Sequence, residues 1–539
     1  MVLLTSAHHD TFCRDNLPPQ EQWPTMEFTL PELHYPDRLN AAEVLIDQAV
    51  DAFGADRPAL LTPNGERWSY GDLQLRADQV AHVLTQEMGV EPGNRVMLRS
   101  PNNPWLVASW LGVLKAGAVA VTTMPVLRPA EVQKLVDLTR PTVLLTDHRF
   151  VDGLTDEVTE VPVVTIGGGG PEDLVSRAGH YRDPFQAVET SQDDVALLAP
   201  TSGSTGAPKV TMHFHRDVLA NADTFARHIL RPAPDDVFAG SPPLAFTFGL
   251  GGLVVFPLRF GASALLTERV TPVELAELVA EHTVTVLFTA PTAYRAIIRE
   301  GCGDRLRGLR LGVSAGEHLP ESTWHEVQEH TGLTLINGIG ATELLHVFIS
   351  TTQDEPGPGT TGRPIPGFRA KIVDEMGQDV PDGEQGRLAV IGPTGCRYLA
   401  DDRQSVYVQD GWNITGDTFV RTADGSFVYQ ARSDSMIISS GYNISAPEVE
   451  EALSAHDDVL ECAVVAKPDE DRGSVVCAFV VLRDGVEGDD VLRRSLQDHV
   501  KSTIAPYKYP RDVRFVDELP KNPSGKLQHF KLRGQLQAS

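Results

Sequence analysis

Residues Ala199 to Lys209 read APTSGSTGAPK, between the apolar run VALL (195–198) and the alternating run VTMHFH (210–215). From Thr201 through Ser202, Gly203, Ser204 and Thr205 to Gly206, every position carries a hydroxyl or no side chain. Such a stretch can turn backbone amides and hydroxyls toward the oxygens of a polyphosphate. Its spacing departs from the phosphate loop of ordinary nucleotide hydrolases, because Lys209 follows Pro208 and no helix pattern opens after it. A different scaffold for the same kind of anion is therefore expected.

Working outward, short β-rich runs (VALLAP, 195–200; VTVLFTAP, 284–291; LRLGVSAG, 309–316) alternate with helical stretches at 272–282 and 320–331. That is the rhythm of crossover units, and it predicts layered α/β structure over much of 45–350. From about 357 proline and glycine become dense, and FRAKIVDE, GRLAVIG and SFVYQAR read as strands of a β-rich subdomain. The stretch RSDSMIISSGYNIS (432–445) has few helix formers, and Ser445, Pro447 and Glu448 then mark a capped helix start. The remainder reads helix, two strands (CAVVAKP, VVCAFVVL), helix (489–503) and strand (DVRFVDEL). The fold class is thus α/β: a large amino-terminal domain of layered α/β subdomains plus a β-rich subdomain, over 1–433, and a small α+β carboxyl-terminal domain, over 434–539.

A chain of 539 residues with 41% hydrophobic content can bury several cores. Acidic side chains outnumber basic ones 73 to 46, and the formal charge of −27 disfavours nucleic acid and anionic membranes as partners. A polyphosphate needs only a local pocket and is not excluded. The five cysteines, Cys13, Cys302, Cys396, Cys462 and Cys477, form no metal-binding or paired spacing, so reduced thiols and a cytoplasmic location are expected. The segment MVLLTSAHHDTFCRD lacks the pattern of an export signal. The longest apolar stretches, near 105–127 and 249–266, are interrupted by Lys115 and Arg259.

Four further segments carry chemistry: NGIGATE (337–343), GWNITGD (411–417), QARSDSMIISSGYNIS (430–445) and PKNPSGKLQ (520–528). Each alone has an ordinary structural reading as a turn or helix start. Together with the glycine loop, in this order and at these distances, they resemble the signatures of the acyl-adenylate-forming superfamily, which includes the acyl-CoA synthetases. The resemblance implies an AMP-forming ligase using ATP, Mg2+ and coenzyme A. It implies that Thr201 to Gly206 and Lys209 hold phosphate, that Gly316, Glu317, Asn337, Gly338 and Ile339 line the nucleotide, and that Thr342 and Glu343 serve phosphate and metal. It further implies that Asp417 and Arg432 meet the ribose, Gly441 and Tyr442 the pantetheine arm, that Asp434 is the hinge of a mobile small domain, and that Lys526 is the catalytic cation.

PPLAFTFGLGG (242–252) has Phe246 where many members of that superfamily carry histidine. With Phe248, Ile339 and Gly340 this predicts a short apolar slot for one ring, since aromatic pairs add about 0.5–1.5 kcal/mol beyond buried area. The combination, with the leader HHDTFCRDNLPPQEQWP, resembles the benzoate and 2-aminobenzoate CoA ligases. His346 is then placed to exchange a hydrogen bond with an ortho substituent, and Thr247 is the other polar candidate, read otherwise as a strand-end threonine. Asn337, Ser435 and His529 depart from the residues usual in close relatives. The last two bear on the acceptor, for which a carrier protein in trans or a nitrogen nucleophile is the alternative. The partners expected are a small aromatic acid, ATP and CoA, with a homodimer as the oligomeric option.

Overall fold

The computed structural model describes residues 3–201, 208–432, 436–520 and 529–537. The chain forms two compact units. The first takes in residues up to Pro125, from Leu135 to Thr201 and from Val210 to Ala431; the second is built on the part from Arg432 onward, with Val126–Lys134 and, of the described residues, Pro208 and Lys209.

In the first unit a six-stranded sheet runs in the order Val163–Ile166, Val143–Asp147, Arg95–Arg99, Val119–Thr123, Val195–Thr201, Lys209–Phe214. Three of these strands, Arg95–Arg99, Val119–Thr123 and Val143–Asp147, are buried at every position, as parallel strands covered on both faces must be. The glycine-rich loop joins the last two strands of this sheet. A nine-stranded sheet has a parallel centre, Ser263–Leu265, Val237–Gly240, Val286–Thr289, Leu311–Ser314 and Leu335–Gly340. Beyond Leu335–Gly340 it continues antiparallel through Val347–Ser350. The third sheet is the β-rich one, in which Arg369–Val373, Gln385–Ile391 and Trp412–Arg421 pair antiparallel and Phe427–Arg432 adds to Trp412–Arg421.

The helices begin where their sequences direct. Ser69 and Asp72 close a reciprocal cap on Tyr70–His82. Asn103 accepts from the Leu106 amide ahead of Pro104–Lys115, whose proline sits in the first turn. The expected helices at 272–282 and 320–331 are Pro272–Glu281 and Glu321–Thr331. The apolar stretch 105–127 divides into helix Pro104–Lys115 and strand Val119–Thr123, and among the described residues no helix is long and apolar enough to cross a membrane. All five cysteines are free thiols. One expectation differs: Thr247 opens the short helix Thr247–Leu250 and does not end a strand. The run PPLAF ahead of it already turns, its Phe246 amide donating to the Pro243 carbonyl at 3.0 Å, so apolar letters that read as strand lead straight into the helix start.

In the second unit Val459–Asp469 and Gly473–Leu482 pair antiparallel, and Asp512–Phe515 joins the latter parallel. Alternate residues serve opposite faces: Cys462 and Val464 meet the core formed with helices Ala446–Ser454 and Asp490–Thr503, whereas Ala463 and Val465 pack with Leu532 and Leu536 of helix His529–Gln537. The stretch poor in helix formers is a hairpin, Met436–Ser439 with Tyr442–Ser445.

The first unit carries a buried cation that tests this packing. Lys115, 1% exposed, ends its helix with Nζ on Asp47 Oδ1 at 2.8 Å and on Asp78 Oδ1. Burial holds the Asp78 carboxyl above the usual carboxylate range even beside this lysine. Lys115→Met leaves the buried acid without its cation and should lower the unfolding free energy by about 3 kcal/mol in denaturant titration. A loss below about 1 kcal/mol would show that solvent reaches Asp78.

Candidate active site

The nucleotide side begins where two parallel strands end side by side. Ser314 pairs with Asn337, so Gly316 and Glu317 leave one strand next to Asn337, Gly338 and Ile339 on the other. Ligands of open α/β sheets collect outside such carboxyl ends. Gly316 has a φ of +85° with open space where a Cβ would stand. Buried Asn337 is held by its amide, which donates to Thr351 Oγ1 at 2.8 Å, and by Nδ2, which donates to the Thr360 carbonyl at 2.7 Å. His318 stacks on Tyr429 at 5.3 Å, and Tyr429 stands edge-on to Phe419 at 5.5 Å. That contact sets the β-rich sheet beside the Gly316 turn. Asp417 is half-buried within Trp412–Arg421, and Arg432 ends Phe427–Arg432.

After Asn337 the strand changes partner from parallel to antiparallel, with an irregular register between Ile339 and Gly340. The connection 341–346 contains the turn Thr342–Leu344, followed by Leu345 at φ +72°. A side chain in that region costs on the order of 1–3 kcal/mol, so the turn must be held by its surroundings. Three side chains hold it. His213 Nε2 donates to the Thr342 carbonyl at 2.8 Å, Thr394 Oγ1 donates to the Leu344 carbonyl at 2.7 Å, and the Tyr398 hydroxyl donates to Glu343 Oε1 at 2.5 Å. Burial lowers the His213 imidazole to about 4, so it holds the turn as a neutral donor.

Glu343 is 8% exposed. Among the described residues no group of three or more His, Cys, Asp or Glu side chains could hold a metal by itself. One buried carboxylate is nevertheless the protein contribution expected for Mg2+ that takes its other ligands from water and substrate phosphate. The donor set fits that ion.

The acyl side is aromatic. Phe246 caps helix Thr247–Leu250, and Phe246, Thr247 and Phe248 are half-buried. The Phe248 ring meets Phe288 at 5.4 Å and His346 at 5.6 Å, while His346 also meets Phe256 at 4.6 Å and Phe225 at 5.5 Å. Glycines make this approach possible. A Cβ on Gly251 would stand 2.4 Å from His346 Cδ2, and one on Gly252 would stand 2.7 Å from the Phe288 ring. Gly340 is under the same constraint, 2.7 Å from the His346 carbonyl oxygen. Burial pushes the imidazole of His346 down to about 3; its Nε2 faces the Phe248 carbonyl at 3.4 Å, and Nδ1 has no partner among the described residues. The histidine is thus a neutral wall of the box, next to Phe248.

Thr201 ends strand Val195–Thr201 and Lys209 opens Lys209–Phe214. In the second unit Gly441 at φ +81° turns the hairpin, and the Tyr442 ring lies 4.4 Å from half-buried Tyr507. Ser202, Gly203, Ser204, Thr205, Gly206, Asp434 and Lys526 lie outside the described residues, as does the Arg432 side chain. Sequence reading did not single out His213, Thr394 or Tyr398 around the turn, nor Phe225, Phe256 and Phe288 around His346. These act across 50 residues or more of chain, and no local spacing announces them.

Comparison with known proteins identifies the family. The model of the AMP-binding enzyme family matches residues 46–398, and that of the AMP-binding enzyme C-terminal domain matches 448–526. The benzoate–CoA ligase of Thauera aromatica is 34% identical over 515 residues, covering 94% of this chain and 98% of that protein. The solved structure of the anthranilate CoA ligase AuaEII in complex with anthranoyl-AMP has a TM-score of 0.72 at 32% identity, over 94% of this chain and 98% of that one. The amide bond synthetase McbA of Marinactinospora thermotolerans has a TM-score of 0.83 at 27% identity, over 92% and 99%. The turn that buries Glu343, the paired strand ends at Ser314 and Asn337, and the extent of these matches lead to one conclusion: the chain belongs to the AMP-binding enzyme family.

Proposed function

We propose that the protein is an AMP-forming aryl-CoA ligase. It joins a small aromatic carboxylic acid, benzoate or 2-aminobenzoate, to ATP as an aryl adenylate with release of pyrophosphate, and then transfers the aryl group to coenzyme A with release of AMP. The observation that carries this reading is the closeness in the fold of the Glu343 turn and the aromatic box, since five residues separate Gly340 from His346 and a Cβ on Gly340 would stand 2.7 Å from the His346 carbonyl oxygen.

A carboxylate is a poor electrophile because its charge repels nucleophiles and its oxygen leaves badly. Adenylation removes both obstacles. The acid oxygen attacks the α-phosphorus, the bond to the β-phosphate oxygen breaks, and the electron pair leaves with pyrophosphate. Catalysis is alignment and neutralisation of growing negative charge. In this reading Thr201, Lys209 and the loop between them receive the leaving phosphates, Thr342 and Glu343 serve phosphate and Mg2+, and Asn337 with Gly316, Glu317, Gly338 and Ile339 receives adenine. Asp417 and Arg432 hold the ribose, and Lys526 supplies a compact mobile cation to the α-phosphate and carboxylate. Mg2+, when bound, neutralises phosphate charge. Phe246, Phe248, Thr247, Gly340 and His346 bound a slot of one-ring depth.

Thioester formation needs a thiol at the adenylate carbonyl in place of the lysine. We assign Gly441 and Tyr442 to the pantetheine arm and Asp434 to the hinge of residues 434–539 relative to 1–433. A nitrogen acceptor is the second reading, kept in view by the fold likeness to an amide bond synthetase. Incubation with ATP, acid and CoA distinguishes them: an aryl-CoA product supports the first, AMP release without thioester the second. Beyond its substrates, a carrier protein in trans and a homodimer are the partners to test, and the free thiols suit the cytoplasm as its location.

Lys526→Ala should slow acid-dependent pyrophosphate release about 100-fold or more while supplied aryl-AMP is still converted with CoA. Equal loss of both half-reactions would refute the division of labour. In a panel read by pyrophosphate release, benzoate and 2-aminobenzoate should exceed long fatty acids by about 100-fold in kcat/KM; a preference for the fatty acids would refute the slot. Since the His346 imidazole titrates near 3, it stays neutral from pH 6 to 8. The ratio of kcat/KM for benzoate and 2-aminobenzoate should therefore stay flat over that range, and a break in the ratio would place a charged group beside the ring.

A further inference from the structure

Tyr398 lies 55 residues from Glu343 in sequence, and its hydroxyl donates to Glu343 Oε1 at 2.5 Å. An ionised carboxylate only accepts, so the phenol is the donor. Two other fully buried tyrosines of this unit behave differently. Tyr70 gives its hydroxyl to the Ala262 carbonyl at 2.7 Å and Tyr294 to the Leu287 carbonyl at 3.2 Å, as tyrosines that serve packing commonly do. Tyr398 directs the same group at the carboxylate assigned to the metal.

The phenol is itself held in place. The Leu399 amide donates to the Val210 carbonyl at 2.9 Å and the Met212 amide to the Arg397 carbonyl at 2.7 Å, which lays residues 397–399 along the strand that leaves the glycine-rich loop. Gln404 Oε1 accepts from the Tyr398 amide at 2.9 Å. Arg397, next in the chain, pairs with Asp217 at 2.7 Å with both side chains fully buried, and lies 4.0 Å over the Phe214 ring. A donor so fixed leaves its acceptor little choice of rotation.

From this geometry we propose that Tyr398 is a positioning residue: it fixes the plane of the Glu343 carboxylate and thereby sets the affinity of the enzyme–ATP complex for its divalent cation. The proposal rests on the assignment of Glu343 to that cation. A bond to one carboxylate oxygen orients the other, and removing such an outer partner typically weakens a metal site by about 10- to 100-fold. Because residues 397–399 are also bonded to Val210 and Met212, the carboxylate keeps its register with the strand that begins at the phosphate loop.

The test is Mn2+ affinity of the full-length enzyme with ATP and no acid, read by the electron paramagnetic resonance of free Mn2+. Tyr398→Phe keeps every ring carbon and should weaken Mn2+ binding about 10-fold or more, raise the Mg2+ concentration for half-maximal pyrophosphate release to match, and leave KM for the acid unchanged. Glu343→Gln should also weaken Mn2+ binding, and Tyr398→Phe should add nothing in that background. Wild-type Mn2+ affinity in Tyr398→Phe, or additive losses in the double variant, would overturn the proposal. So would loss of a cooperative melting transition in Tyr398→Phe, since that would place the hydroxyl among the groups that hold the core. Wild-type affinity in Glu343→Gln would instead overturn the assignment of Glu343, and the positioning role with it.

Discussion

A carboxylate 8% exposed is the constraint around which this protein is arranged. Ionised groups leave water only when hydrogen bonds and partner charges replace it. Glu343 sits on a turn ending in a positive-φ leucine, and the turn is held by bonds from His213, Thr394 and Tyr398, which come from two distant parts of the chain. A site that must receive a metal–polyphosphate cannot fill this position with an apolar residue. Of these bonds the one from Tyr398 reaches the carboxylate itself, while His213, kept neutral by burial, and Thr394 fix the backbone carbonyls of the turn that carries it.

The same turn links two environments of opposite character. Before it, Asn337 to Ile339 lie at the carboxyl end of a parallel sheet, the kind of edge where ligands of open α/β sheets collect. After it, His346 enters a box of Phe225, Phe248, Phe256 and Phe288. The change of the strand from parallel to antiparallel pairing at Gly338 makes this possible. The packing there is close, because Gly251 and Gly252 bring the helix against His346 and Phe288 with no room for a methyl group.

Much of the architecture was legible in the letters because it depends on local physics. Alternation of short apolar runs with helical stretches marks crossover units, and the strands and helices from 272 to 331 stand within two residues of their expected places. The β-rich stretch and the strands of the small domain were legible from short β-rich runs bounded by glycine, proline and polar residues. Thr247 went astray because an apolar run beside prolines has the composition of a strand, whereas PPLAF folds as a turn that leads into a helix start. Candidate site residues could be named from the letters only where they are contiguous, in the glycine loop, NGIGATE, GWNITGD and the lysine loop.

The sequence by itself determined the kind of anion to be held, the alternation of strand and helix, and the family, since each depends on residues adjacent in the chain. Only the tertiary structure decided that Tyr398, Thr394 and His213 converge on one turn, and that His346 is a neutral wall of an aromatic box. The reason is physical: desolvation, ring packing and the orientation of a carboxylate are set by neighbours in space, and those neighbours come from strands and loops separated by 50 to 130 residues.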